Sequence, residues 1–152
     1  MSELPPRDRI ARHIPSGKRK GIEEDGTTGI VDSAAFMPRP DWPLGMGLEK
    51  YLSVTHVDHF GGDIEQQLTA VTKAMRDRVK RLNQNSRIGI LQVEVIHDAA
   101  ALKPKTLRVR IVNPQEDLSY GGIYGMDLED DIIAQELARR VLLYRPRLAE
   151  AK

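Results

Sequence analysis

The spacing of apolar and polar positions divides this chain near residue 50. Leu52 and Val54 alternate with polar neighbours, the pattern of a half-buried strand. Asp63 then stands at the start of a helical pattern with Gln66 three positions on, the spacing of a capping box. Apolar residues at 64, 68, 71, 75, 79 and 82 follow in steps of three and four and make one stripe, predicting a helix that closes at the turn formers of 83–86.

Two more strands are predicted beyond it. In residues 88–97, Leu91, Val93, Val95 and His97 share one face and Gln92 and Glu94 the other. In residues 106–113, Leu107, Val109 and Ile111 oppose Arg108 and Arg110. The segment between them contains Lys103-Pro104 and reads as the loop of an antiparallel hairpin. A glycine-rich loop over 121–125 leads to Asp127, which is expected to cap a last helix carrying Leu128, Ile132, Ile133, Leu137, Val141 and Tyr144 on its apolar face.

This order, β-α-β-β-α, predicts an α+β fold: a small two-layer α/β sandwich of the ferredoxin-like kind. A right-handed crossover sets the Leu52 and Leu91 strands parallel. The preferred arrangement places the 106–113 strand between them, both helices on one face, and residues 29–36 as an N-terminal strand completing the sheet at its edge.

Residues 1–48 have a different texture. They hold six of the nine prolines, together with several glycines and an even mixture of acids and bases. Fixed φ in one residue type and excess freedom in the other oppose regular structure. The expectation is an arm over 1–48 that is partly disordered or ordered by a partner, a single α/β domain over 49–146, and a C-terminal tail over 147–152.

Composition narrows the chemistry. The absence of cysteine excludes disulfides, thiol nucleophiles and Cys-based metal sites. A net charge of +1 gives no global field toward nucleic acid or membrane, so any such affinity must come from local patches. No run approaches the roughly 18 apolar residues of a membrane span, and the N-terminus has no signal-peptide core. A cytoplasmic, soluble protein is expected, with no membrane partner. No cofactor is implied.

Three sets of residues can carry chemistry. With the first two core strands parallel, His56 and His97 fall at one sheet edge beside His59, Asp58 and Asp98. His56, His59, His97 and Asp98 then make a candidate acid–base or metal-assisted hydrolytic site, although no residue is assigned as a metal ligand. Lys73, Arg76 and Lys80 on a helix face, with Arg108 and Arg110 on an open strand face, offer a nucleic-acid backbone or an acidic protein a landing surface. No Phe or Tyr is expected on that open face beside Arg108, Arg110, Gln92 and Glu94, which argues against base stacking. Phe36, Met37 and Trp42 in the arm are candidate apolar anchors for a larger protein partner.

The glycine loop is expected to be a turn and cap. Asp127, Glu129, Asp130 and Asp131 around the following helix start would repel a phosphate, and Gly122-Ile-Tyr124 resembles only the opening of the GIY-YIG nuclease motif. The run Ala35-Phe-Met-Pro-Arg39, with Leu52-Ser-Val54, Asn113-Pro114 and Gly122-Ile-Tyr-Gly125, resembles small bacterial proteins found in multigene operons, including defence-type ones. That resemblance implies an accessory role and no catalytic residues. The leading expectation is a non-catalytic accessory subunit docking through its N-terminal arm. A small hydrolase and a nucleic-acid backbone binder are the alternatives.

Overall fold

A computed structural model describes residues 3–22 and 24–149. Residues 1, 2, 23 and 150–152, which fall within the expected arm and tail, lie outside the described residues. The chain is a small α+β fold built on a six-stranded antiparallel sheet with three helices, compatible with a two-layer α/β sandwich.

The strands of the main sheet are β1 (Arg9–Ile14), β4 (Tyr51–His56), β5 (Arg87–Gln92), β6 (Arg108–Ile111), β7 (Tyr120–Tyr124) and β8 (Leu142–Tyr144), in the order β6-β7-β4-β1-β5-β8. A separate ribbon pairs β2 (Arg19–Lys20) with β3 (Ile30–Val31) and leads into a short helical turn, Ser33–Phe36. The helices are α1 (Ile64–Arg78), α2 (Val93–Ala100) and α3 (Asp131–Arg140).

An N-terminal strand does complete the sheet, but it is β1 and not residues 29–36, and it lies at the centre. β1 pairs antiparallel with both β4 and β5. Those two strands therefore run parallel to one another, as a crossover through α1 requires, with β1 between them in place of the 106–113 strand. Within the expected arm, Ile10, Ala11, Ile14 and Phe36 are thus fully buried. Segment 9–14 alternates as a strand should, but Arg12 interrupts its apolar face.

The expected 88–97 strand divides in two. Its first part is β5; from Val93 the chain turns into α2, which buries Val93, Ile96, Ala99 and Ala100. Apolar residues at 91, 93 and 95 fit a strand, and those at 93, 96, 99 and 100 fit a helix. Burial against α3 decides for the helix. β6 consequently has no hairpin partner upstream and pairs with β7, the segment expected to be a glycine loop. Glycine serves close approach there: a Cβ on Gly122 would stand 2.7 Å from the Tyr51 ring, and one on Gly121 would stand 3.0 Å from the Arg110 carbonyl oxygen.

The α1 capping box forms as predicted. The Gln66 backbone amide donates to Asp63 Oδ1 at 2.9 Å, and the Asp63 amide donates to Gln66 Oε1 at 2.8 Å. Two apolar clusters occupy opposite faces of the sheet. The larger joins Ile10, Ile14, Leu52, Val54 and Leu91 to α2 and α3. The smaller packs Leu68, Val71 and Met75 of α1 on Ala11, Ile88 and Ile90. The helices are therefore not all on one face. The apolar face of α1 lies over β1 and β5, and only its C-terminal end reaches β4 and β7, through Arg78; that half-cover positions the site described next.

Candidate functional site

Alternation along β4 sends Leu52 and Val54 into the larger cluster and Tyr51, Ser53 and Thr55 to the opposite face. On β7 the same rule buries Ile123 and turns Tyr120 and Tyr124 outward; on β6 it buries Val109 and Ile111 and turns Arg108 and Arg110 outward. The half-sheet β6-β7-β4 therefore presents three tyrosines and two arginines on its open face. Tyr51 lies 5.0 Å from Tyr124 and 6.2 Å from Tyr120 between ring centroids. The Arg110 guanidinium sits 4.3 Å from the centroid of the Tyr124 ring. Arg78, at the end of α1, sits 4.4 Å from the Tyr120 ring. It also donates to Thr55 Oγ1 at 2.6 Å and to Asp117 Oδ2 at 3.0 Å. Ser53 Oγ pairs with the Tyr120 hydroxyl at 2.8 Å. Burial, and then the hydrogen bond to Tyr120, push the Tyr51 phenol above its ordinary range, so it stays neutral.

This face runs into a cleft. β1 and β4 are paired only at Ile10↔His56 and Ala11↔Thr55, and beyond these positions they diverge. Where they part, a cavity of about 640 Å3 opens, lined by residues of both strands, of the Ser33–Phe36 turn and of the chain after α1. Arg12 crosses the gap, its Nε donating to the Ala35 carbonyl at 2.6 Å and its Nη1 to the Ser53 carbonyl at 2.8 Å. Burial pulls this guanidinium down to about 10, against the opposing charge of Glu49, so it remains cationic at neutral pH. Lys18, Arg39, Arg78, Lys80 and Arg81 also line the cleft; Glu49 is its one carboxylate among the described residues, and it is paired with Arg39. Arg12, Lys18, Lys80 and Arg81 form no ion pair among the described residues.

A loop over 39–49 forms the rim. Asp41 accepts from the amides of Gly45 and Gly47, at 3.1 Å and 2.9 Å, and these glycines hold positive φ. The Trp42 amide donates to the Gly47 carbonyl at 2.7 Å, and the Glu49 amide to the Arg39 carbonyl at 2.8 Å. Arg39 stacks on the Trp42 ring, 3.6 Å from its centroid. The loop projects Trp42, Leu44 and Met46, which are 45%, 90% and 63% exposed.

The residues singled out by sequence are distributed differently. His56 ends β4 with Nε2 at 2.7 Å from Asp8 Oδ2, and its ring centroid lies 6.4 Å from that of His59, which packs edge-on against Phe60. His97 and Asp98 stand on exposed positions of α2 and not at a strand end, so the expected edge with His56 does not form. Among the described residues no group of three His, Asp or Glu side chains converges as a metal site. Lys73 is exposed on α1, while Arg76 Nη1 reaches the Leu148 carbonyl at 3.4 Å. α1 ends at Arg78, so Lys80 leaves their helical register and joins the cleft. Gln92 ends β5 on the same sheet face as Arg108 and Arg110, but β7, β4 and β1 lie between them, and Glu94 lies in α2. Phe36 is fully buried and Met37 half-buried against the core, which leaves Trp42 as the exposed anchor of the three.

Sequence reasoning missed Asp8, Arg12, Arg39 and the tyrosines. Tyr120 and Tyr124 are separated by an even step, as one strand face requires, and that was the available signal; the glycines between them read as a loop. Among the described residues no helix is long and apolar enough to cross a membrane. No family model, curated protein or solved structure matches the chain.

Proposed function

We propose that this protein binds single-stranded nucleic acid across the open half-sheet β6-β7-β4. Bases lie against Tyr51, Tyr120 and Tyr124, and the backbone runs along Arg108, Arg110 and the basic margin of the cleft. The observation that carries this reading is the adjoining group of three tyrosines, two of them overlaid by arginines, on a part of the sheet face that α1 reaches only through Arg78 at its end. Unpaired bases present flat faces that stack on such rings, each contact being worth about 1–3 kcal/mol. Paired bases in a duplex do not present those faces. The test is the affinity of fluorescently labelled single strands and of the matching duplex. Single strands are expected to bind tighter than duplex, and to weaken markedly between about 50 and 200 mM salt. Equal affinities, or indifference to salt, count against the reading.

A second reading, the accessory subunit that docks on a larger protein, is favoured by one observation. The 39–49 loop is fixed by its own hydrogen bonds yet leaves Leu44 and Met46 largely in solvent. Aromatic and Met side chains held in this way make interface anchors at little entropic cost. Leu44→Glu with Met46→Glu tests it: loss of a discrete co-purifying partner, with folding and oligonucleotide affinity retained, supports docking through this loop. Unchanged partnership counts against it.

A further inference from the structure

The geometry points to a phosphomonoester site in the cleft between β1 and β4, with Arg12 at its floor and Trp42 on its wall. The phosphate arrives as the end of a bound strand or as a free nucleotide. The strand-borne form rests on the nucleic-acid reading above; the pocket itself does not.

A charge taken out of water is ordinarily matched by a counter-charge, because an unmatched one costs several kcal/mol or more. Arg12, half-buried where it lines the cavity, departs from that rule. It satisfies Nε and Nη1 with two carbonyl oxygens, and forms no ion pair with a carboxylate among the described residues. Glu49, the one acid among the described residues lining the cleft, is engaged by the Arg39 guanidinium and backbone amide. The two carbonyl bonds fix the guanidinium plane and leave Nη2 as the donor available to the cavity. A planar donor held in this way binds phosphate with geometric selectivity and little loss of entropy.

Charge then separates a phosphomonoester from an internal phosphodiester. Lys18, Lys80 and Arg81 join Arg12 around the cavity without ion-pair partners among the described residues, so local positive charge exceeds what a single −1 diester neutralises. A monoester carries about −1.5 to −2 at neutral pH and offers three acceptor oxygens. The cavity, about 640 Å3, is within the range for small-ligand sites of roughly 300–1,000 Å3. Trp42, with Arg39 stacked on its ring, supplies a flat surface for the attached base.

Trp42 is the only tryptophan in the chain, so its emission reports on this cleft. Two titrations decide the matter on the full chain. In the first, a nucleoside 5′-monophosphate and the same nucleoside without phosphate are added while Trp42 fluorescence is followed. The monophosphate is expected to give a saturable change and the nucleoside none at equal concentration. In the second, one oligonucleotide is compared with a 5′-phosphate, a 3′-phosphate or neither. A terminal phosphate is expected to tighten binding about ten-fold, and Arg12→Gln to abolish that difference. If Arg12→Gln fails to fold, Lys80→Gln with Arg81→Gln, at exposed positions beyond α1, replaces it with the same expectation. Strands that bind without regard to their ends, and no response to the monophosphate, overturn the inference and leave the half-sheet reading standing. No binding of any strand, with an Arg12-dependent response to the monophosphate, overturns the half-sheet reading and leaves the pocket serving a free phosphomonoester.

Discussion

Arg12 and His13 are neighbours on β1, and burial moves both below their ordinary ranges with different outcomes. Arg12 begins so high that a fall to about 10 leaves it charged. His13, with Nε2 at 2.9 Å from Ser86 Oγ, is held at about 4 by burial first and then by the charges of Arg81 and Arg12. It is neutral in the folded chain at pH 7, and an unfolded chain binds a proton on it more readily. Its contribution to stability is therefore complete above the unfolded value near 6.5, falls as pH drops below it, and is gone below about 4. Allowing for partial solvent screening, this amounts to roughly 1–2 kcal/mol. Denaturant melts of wild type and His13→Gln between pH 7 and 4 should show a decline in the former that is shallower in the latter. Parallel curves would place the acid sensitivity elsewhere. Asp25, Asp58 and Asp117 are all held below the usual carboxylate range, so their losses belong to lower pH.

Elements were legible where a single period governed them. The stripe and cap of α1 had one interpretation, and the helix starts at the predicted cap with both reciprocal bonds made. Asp63→Ala should cost about 1 kcal/mol in a thermal or denaturant melt, and no loss would mean the cap is satisfied by water. The apolar stripes of β4 and β6 were legible for the same reason. β8 was read as the end of the last helix, and three elements around the site were hidden by residues serving a purpose beyond their own strand or helix. Arg12 breaks the apolar face of β1 because it spans the gap to β4. Gly121 and Gly122 disguise β7 because Tyr51 and the β6 backbone come close to them. Val93-x-Val95 disguises the start of α2, whose helical face becomes evident only when α3 is packed against it. These are also the reasons the site itself was hard to read: Tyr120, Tyr124 and Arg12 belong to the disguised strands. The histidine edge failed with α2, since a helix carries His97 away from the strand end where a longer β5 would have put it.

At the scale of the molecule, the net charge of +1 conceals a segregation. Acids at the start of α3 are matched locally: Lys105 contacts Asp127 and the buried Asp130, and Lys103 lies 3.4 Å from Asp130. Arg147 binds Asp25 at 2.6 Å and Glu65 at 2.7 Å, tying the C-terminal segment to the loop after β2 and to α1. With these carboxylates committed elsewhere, the cations around the cleft are left in excess. A nearly neutral chain thus acquires a basic face where its sheet is left open and its central strands diverge. The most direct test of the central claim is the affinity of one unstructured single strand for wild type and for Tyr51→Ser with Tyr124→Ser, at fixed low salt and with folding confirmed by circular dichroism. Loss of the two rings should weaken binding by at least about ten-fold, the equivalent of one or two stacked bases. A folded double variant that binds the strand as tightly as wild type would contradict the account.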